Sequence, residues 1–185
     1  MVDDAPGPAT PPSYSADATE VDDAERARLR AERDRIRTEH QQPRDERPPS
    51  SARGVHHVAL VIADVERTTR FYQDLLGFPL TTMFENRDLP GSTHFFFDIG
   101  NGNSIAFFDL PGVDPGEYAE VLGGLHHLAI SMEQTHWEAA KARLDEAGIP
   151  YDHVDGTSIY FRGPDGERLE LIADPLRWMY GERVD

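Results

Sequence analysis

Two histidine pairs, His56-His57 and His126-His127, are each followed by an aliphatic residue and an alanine, and the second histidines lie seventy positions apart. Imidazole ligates zinc, iron and manganese and moves protons near neutral pH. A lone strand histidine is ordinarily a packed or solvated residue, but matched placement twice points to a shared purpose. In VHHVALVIAD (55–64) side chains alternate between faces, so His56 goes with Val58, Leu60 and Ile62, and His57 with Ala59 and Val61. LHHLAISM (125–132) divides the same way, with Leu128, Ile130 and Met132 opposite His127, Ala129 and Ser131. The large aliphatics suit a helix-covered face. His57 and His127 are therefore predicted on the open face, beside small neighbours. In ERLELI (167–172), Leu169 and Leu171 face the helix and Glu170 faces the opening. An unpaired carboxylate there is costly to bury. A divalent cation held by His57, His127 and Glu170 removes that cost, and three ligands leave open positions suited to Fe(II), Mn(II) or Zn(II). Two such sheets facing each other would bring both imidazoles to one cavity. His56 and His126 are left as packing or ligand-supporting residues.

The elements that must position these groups repeat. VERTTRFYQDLLGF (65–78) has helical apolar spacing closed by Gly77, and the runs PLTTMFENR, THFFFDIG and NSIAFFDL read as strands. After LHHLAISM come a helix, EQTHWEAAKARLDEAGI, and three more strands, YDHV, SIYFRG and ERLELIAD. The predicted class is α+β, with two tandem βαβββ modules (54–110 and 123–174) forming a cupped mixed sheet with helices outside. Residues 1–20 read as a disordered tail, 21–53 as a charged helix and a Pro-rich linker, and 54–185 as the folded domain. In 21–42, Asp22–Arg26 and Glu32–Arg35 are predicted ion pairs, and only Leu29 and Ile36 could form a seam.

The chain has 185 residues and a net charge of −16, which disfavours nucleic acid and anionic membrane surfaces as partners. No apolar run approaches the roughly 18 residues of a membrane span, and the N-terminus has no apolar signal core, so a cytoplasmic location is expected. The absence of cysteine removes disulfides, thiolate sites and a thiol nucleophile.

HHVALVIADVERTTRFYQDLLGF, HHLAIS and SIYFRGPDGERLELI together resemble the vicinal oxygen chelate superfamily. That superfamily includes glyoxalase I, fosfomycin and bleomycin resistance proteins and extradiol ring-cleaving dioxygenases. The resemblance spans about residues 54–174 and rests on a Phe-Tyr-x-x-x-Leu-Gly helix end and a Pro-Asp-Gly-x-x-x-Glu strand. It implies a small-molecule substrate that chelates one divalent metal through adjacent oxygens, with Fe2+ favoured over Mn2+, Zn2+ or Ni2+. It also implies a homodimer in which His57 of one chain meets His127 and Glu170 of another. Glyoxalases usually carry a fourth ligand, where this chain aligns Ala106 with Glu170. Three ligands match dioxygenases and fosfomycin-type thiol transferases, both of which place a tyrosine ten residues before the glutamate, as Tyr160 is here. The position of the dioxygenase acid-base histidine holds Asn103, but His94 lies two residues from Phe96, the repeat partner of Tyr160, and is the candidate base. Phe96 and Phe108 are predicted to line the cavity, which favours an aromatic or apolar substrate. The expectation is an extradiol-like dioxygenase. The alternatives are a glyoxalase-like lyase or isomerase, a thiol transferase, or a metal-free binding protein of the bleomycin-resistance type.

Overall fold

Each half of the chain beyond residue 54 forms a four-stranded mixed sheet with helical segments on one face. The computed structural model describes residues 21–52 and 54–173; the predicted tail (1–20) and the final residues (174–185) lie outside the described residues. The first module contains β1 (His57–Ile62), α2 (Val65–Thr69), β2 (Leu80–Glu85), β3 (Thr93–Asp98) and β4 (Ser104–Asp109). The second contains β5 (Leu128–Met132), α3 (Gln134–Glu146), β6 (Tyr151–Val154), β7 (Ser158–Arg162) and β8 (Arg168–Ala173). Strand orders are β1-β4-β3-β2 and β5-β8-β7-β6, with β1–β4 and β5–β8 parallel and the other pairs antiparallel. The α+β class and the βαβββ repeat are thus as predicted.

Burial follows the predicted alternation. Ile62, Phe95, Phe97, Ile105 and Phe107 in the first module, and Ile130, Ile159, Phe161, Leu169 and Leu171 in the second, are buried in one apolar cluster with Tyr72, Leu76, Trp137 and Leu144. His57, Ala59 and Val61 are exposed on the opposite face of β1. The predicted 65–78 helix differs in detail, because α2 continues as a π-helical turn, Arg70–Leu75. The Leu76 amide bonds the Phe71 carbonyl at 3.0 Å, five residues back. The wider turn ends at Gly77, whose φ of +83° suits glycine.

A buried polar contact joins the modules. The Tyr72 hydroxyl, fully buried, donates to Glu167 Oε1 at 2.7 Å, and the Asp165 amide donates to Glu167 Oε2 at 3.0 Å. Arg67 pairs with Asp165 at 2.6 Å, and Arg143 donates to the Leu75 and Leu76 carbonyls. A Cβ at position 163 would lie 2.0 Å from the Glu167 carboxylate, so glycine there makes room for it. Burial raises the Glu167 carboxyl above its ordinary 4.5, partly offset by the Tyr72 hydrogen bond. A raised folded value means that the folded chain binds the proton more tightly than the unfolded chain. Stability from this group is therefore greatest below 4.5 and is lost as pH rises through the raised value. Urea midpoints of the parent and Glu167→Gln chains should diverge across that window in favour of the glutamine variant; a pH-independent difference would contradict the assignment.

The described residues before 54 belong to a separate unit. Its helix α1 (Asp23–His40) has no buried residue. The Glu32–Arg35 pair forms at 2.8 Å. Asp22 has a further role beside the expected pairing with Arg26. It caps the helix by accepting the Glu25 amide at 2.8 Å, and Arg26 lies 3.9 Å from Asp23. Ile36 is exposed, so no continuous seam forms. One 3-10 turn, Arg44–Glu46, interrupts the linker.

Candidate metal centre

The registers superimpose the two modules. Ala59 pairs with Ala106 as Ala129 pairs with Glu170, and Phe96 pairs with Ala106 as Tyr160 pairs with Glu170. Ala106 therefore occupies in the first module the place that Glu170 holds in the second.

His127 and Glu170 come together. His127 Nε2 lies 3.1 Å from Glu170 Oε2, and the carboxylate side chain is only 8% exposed. Tyr160 stands across the ladder from Glu170, with its ring 5.7 Å from that of His127 in an edge-on arrangement. Above Tyr160, 5.1 Å from its ring centre, sits the Arg168 guanidinium, which Glu120 of the connector approaches to 3.9 Å. Arg168 was legible as the residue two before Glu170 on the same strand face. Glu120 carried no signal, because its role depends on how the connector folds back.

His57 is not part of this group. It projects from the first sheet, with His56 Nδ1 2.9 Å from its own Nδ1 and the Phe96 ring 5.8 Å away. Among the described residues no three His, Cys, Asp or Glu side chains of one chain converge to hold a metal ion. The expectation that the two sheets of one chain bring both imidazoles to one cavity is thus not met. The modules pack through one shared apolar cluster, the Tyr72–Glu167 contact and the Arg143 bonds to the Leu75 and Leu76 carbonyls.

His94 lies on the open face of the first sheet, within an aromatic wall. Its ring stacks on Phe108 at 3.7 Å and lies 4.4 Å from Phe96 and 5.2 Å from Phe84. His94 Nε2 is buried without a hydrogen-bond partner. Burial and the nearby His57 hold the imidazole below its ordinary value of 6.5, so the neutral form, able to accept a proton, is favoured.

The donor set fits a cation. A buried carboxylate oxygen and an imidazole nitrogen 3.1 Å apart are two ligands of the types that divalent first-row metals take, and removing the carboxylate from water favours the ion. No described helix is long and apolar enough to cross a membrane.

Residues 54–171 match the model of the Glyoxalase/Bleomycin resistance protein/Dioxygenase superfamily. The chain is 27% identical over 142 residues to MhqO of Bacillus subtilis, provisionally named a ring-cleaving dioxygenase; the match covers 70% of this chain and 44% of that protein. It is 29% identical over 131 residues to the metallothiol transferase FosB of Shouchella clausii, covering 66% of this chain and 82% of FosB. The crystal structure of a glyoxylase/bleomycin resistance protein/dioxygenase domain from Frankia sp. EAN1pec superimposes with a TM-score of 0.58 at 23% identity, covering 66% of this chain and 93% of that one. That likeness shows the fold. The chain spans less than half the length of its dioxygenase relative.

Proposed function

The chain belongs to the Glyoxalase/Bleomycin resistance protein/Dioxygenase superfamily, and from that footing we propose a metal-dependent enzyme whose small substrate chelates the ion through adjacent oxygens. The leading reaction is extradiol-type ring cleavage of an aromatic substrate. The observation that carries the proposal is the buried Glu170 carboxylate meeting His127 at 3.1 Å with Tyr160 across the ladder. His57 completes the ligand set from a second copy in a homodimer. A bound divalent ion would polarise the substrate oxygens and, if iron, supply affinity for dioxygen.

The protein groups have separate tasks. Tyr160 hydrogen-bonds and orients a substrate oxygen. Phe84, Phe96 and Phe108 pack against the ring and keep water out. His94 holds or accepts a proton at Nε2. The MhqO relationship favours ring cleavage. A thiol transferase is the second reading, supported by the match over most of FosB. Ala106 in the place of a fourth ligand disfavours a glyoxalase-type lyase, and a metal-free binding protein would have no use for the buried His127–Glu170 pair.

Elemental analysis of anaerobically purified protein tests the proposal. About one iron per chain, with a new visible band when catechol is added, supports ring cleavage. Zinc, nickel or manganese without such a band supports the transferase or lyase, and metal-free protein points to the binding protein. Tyr160→Phe is expected to keep the metal and lower turnover by roughly 10- to 100-fold, in the range of a lost positioned hydrogen bond. Unchanged turnover would reduce Tyr160 to a sheet aromatic.

A further inference from the structure

Both histidine pairs make the same unusual contact. His56 Nδ1 lies 2.9 Å from His57 Nδ1, and His126 Nδ1 lies 2.6 Å from His127 Nδ1. The rings are edge-on in both, at 77° and 73°. Nitrogens this close need one hydrogen between them, since two lone pairs would repel. We infer that His126 and His56 are positioning residues that fix the tautomer of the ligand histidine beside them. This rests on the metal-centre reading above.

The geometry says which nitrogen does what. His127 directs Nε2 at Glu170, so Nε2 is the metal-facing atom and Nδ1 is left for His126. A neutral imidazole that ligates through Nε2 carries its proton on Nδ1. Once an ion takes the place of a proton between His127 Nε2 and Glu170 Oε2, His127 donates from Nδ1 and His126 accepts through a bare Nδ1, with its own proton on Nε2. That N–H faces the Glu120 carboxylate, 3.9 Å away. The opposite tautomer would set a lone pair of His126 against the carboxylate and would place a proton on the metal-facing nitrogen of His127. In the first module the matching Nδ1–Nδ1 contact offers His56 the same role toward His57. The repeated His-His spelling is thus one device used twice: the second residue ligates and the first holds its ring and proton in place.

The test is competitive Zn2+ titration of the full chain against a chromophoric chelator. His126→Phe keeps a ring but offers no acceptor; His126→Asn places an amide oxygen near the lost Nδ1. Phenylalanine is expected to weaken Zn2+ binding about 10- to 100-fold, and asparagine to restore it to within about threefold. His56→Phe and His56→Asn should repeat the pattern, so a misfolded single variant does not decide the matter. Equal affinity in parent and His126→Phe, or no rescue by asparagine, overturns the inference and leaves the metal centre standing. A parent chain that binds no Zn2+, Mn2+ or Fe2+ overturns both.

Discussion

A His127→Ala chain is expected to come off purification almost metal-free, with divalent-cation affinity down by more than about 100-fold, a larger loss than an outer-sphere partner gives. Activity falls with it. The substitution removes the imidazole that faces Glu170, whose side chain is 8% exposed, so the remaining carboxylate can neither hold the ion alone nor find water easily. Glu170→Gln should lose metal as well. His136→Ala, on the exposed side of α3, should leave metal content and turnover at parental values. The measurement is elemental analysis beside isothermal titration with Mn2+ or Zn2+. If His126→Ala emptied the site and His127→Ala kept it, the facing of the residues that lead into β5 would have been misassigned.

Two inactive variants should restore each other. Within one chain His57 lies on the first sheet, apart from His127 and Glu170, and no three metal-binding side chains converge among the described residues. A site built across two copies takes His57 from one and the pair from the other. His57→Ala and Glu170→Gln chains are each expected to be inactive alone. In a random mixture half the dimers are mixed, and one of the two sites in each mixed dimer is intact. About a quarter of parental metal content and activity should return, as closed two-fold pairing requires. The open face of the first sheet has the surface for such pairing, since Phe84 and Val61 remain 46% and 43% exposed beside His94 and Phe108. Co-purification of differently tagged chains followed by an activity assay reads the result. No recovery in mixed dimers that do form would place the whole site within one chain.

Much of this molecule is legible in the chain itself because strand periodicity is strict. Alternation alone places Phe95, Phe97 and Phe107 on the core face, where all three are fully buried, and Ala59 and Val61 on the open face, where both are exposed. The repeat is equally readable: the equivalence of Ala106 with Glu170 and of Phe96 with Tyr160 follows from spacing, and the ladders reproduce it. Local pattern carries this information because each side chain's direction depends only on its own strand.

What the chain could not reveal depends on groups distant in sequence. Glu167 begins the predicted strand ERLELI with nothing local to name its partner, yet it is buried against Tyr72, ninety-five positions earlier, because the two modules pack together. That same packing separates His57 from His127 within one chain, although their matched positions suggested a shared cavity. Glu120 reaches Arg168 and His126 through the course of the connector, which has no periodicity to predict. Sequence by itself determined the modules and the alternating faces of their strands. Only the tertiary structure decided which faces meet, because docking of two sheets is set by the summed burial of helix and core surfaces and not by any local pattern.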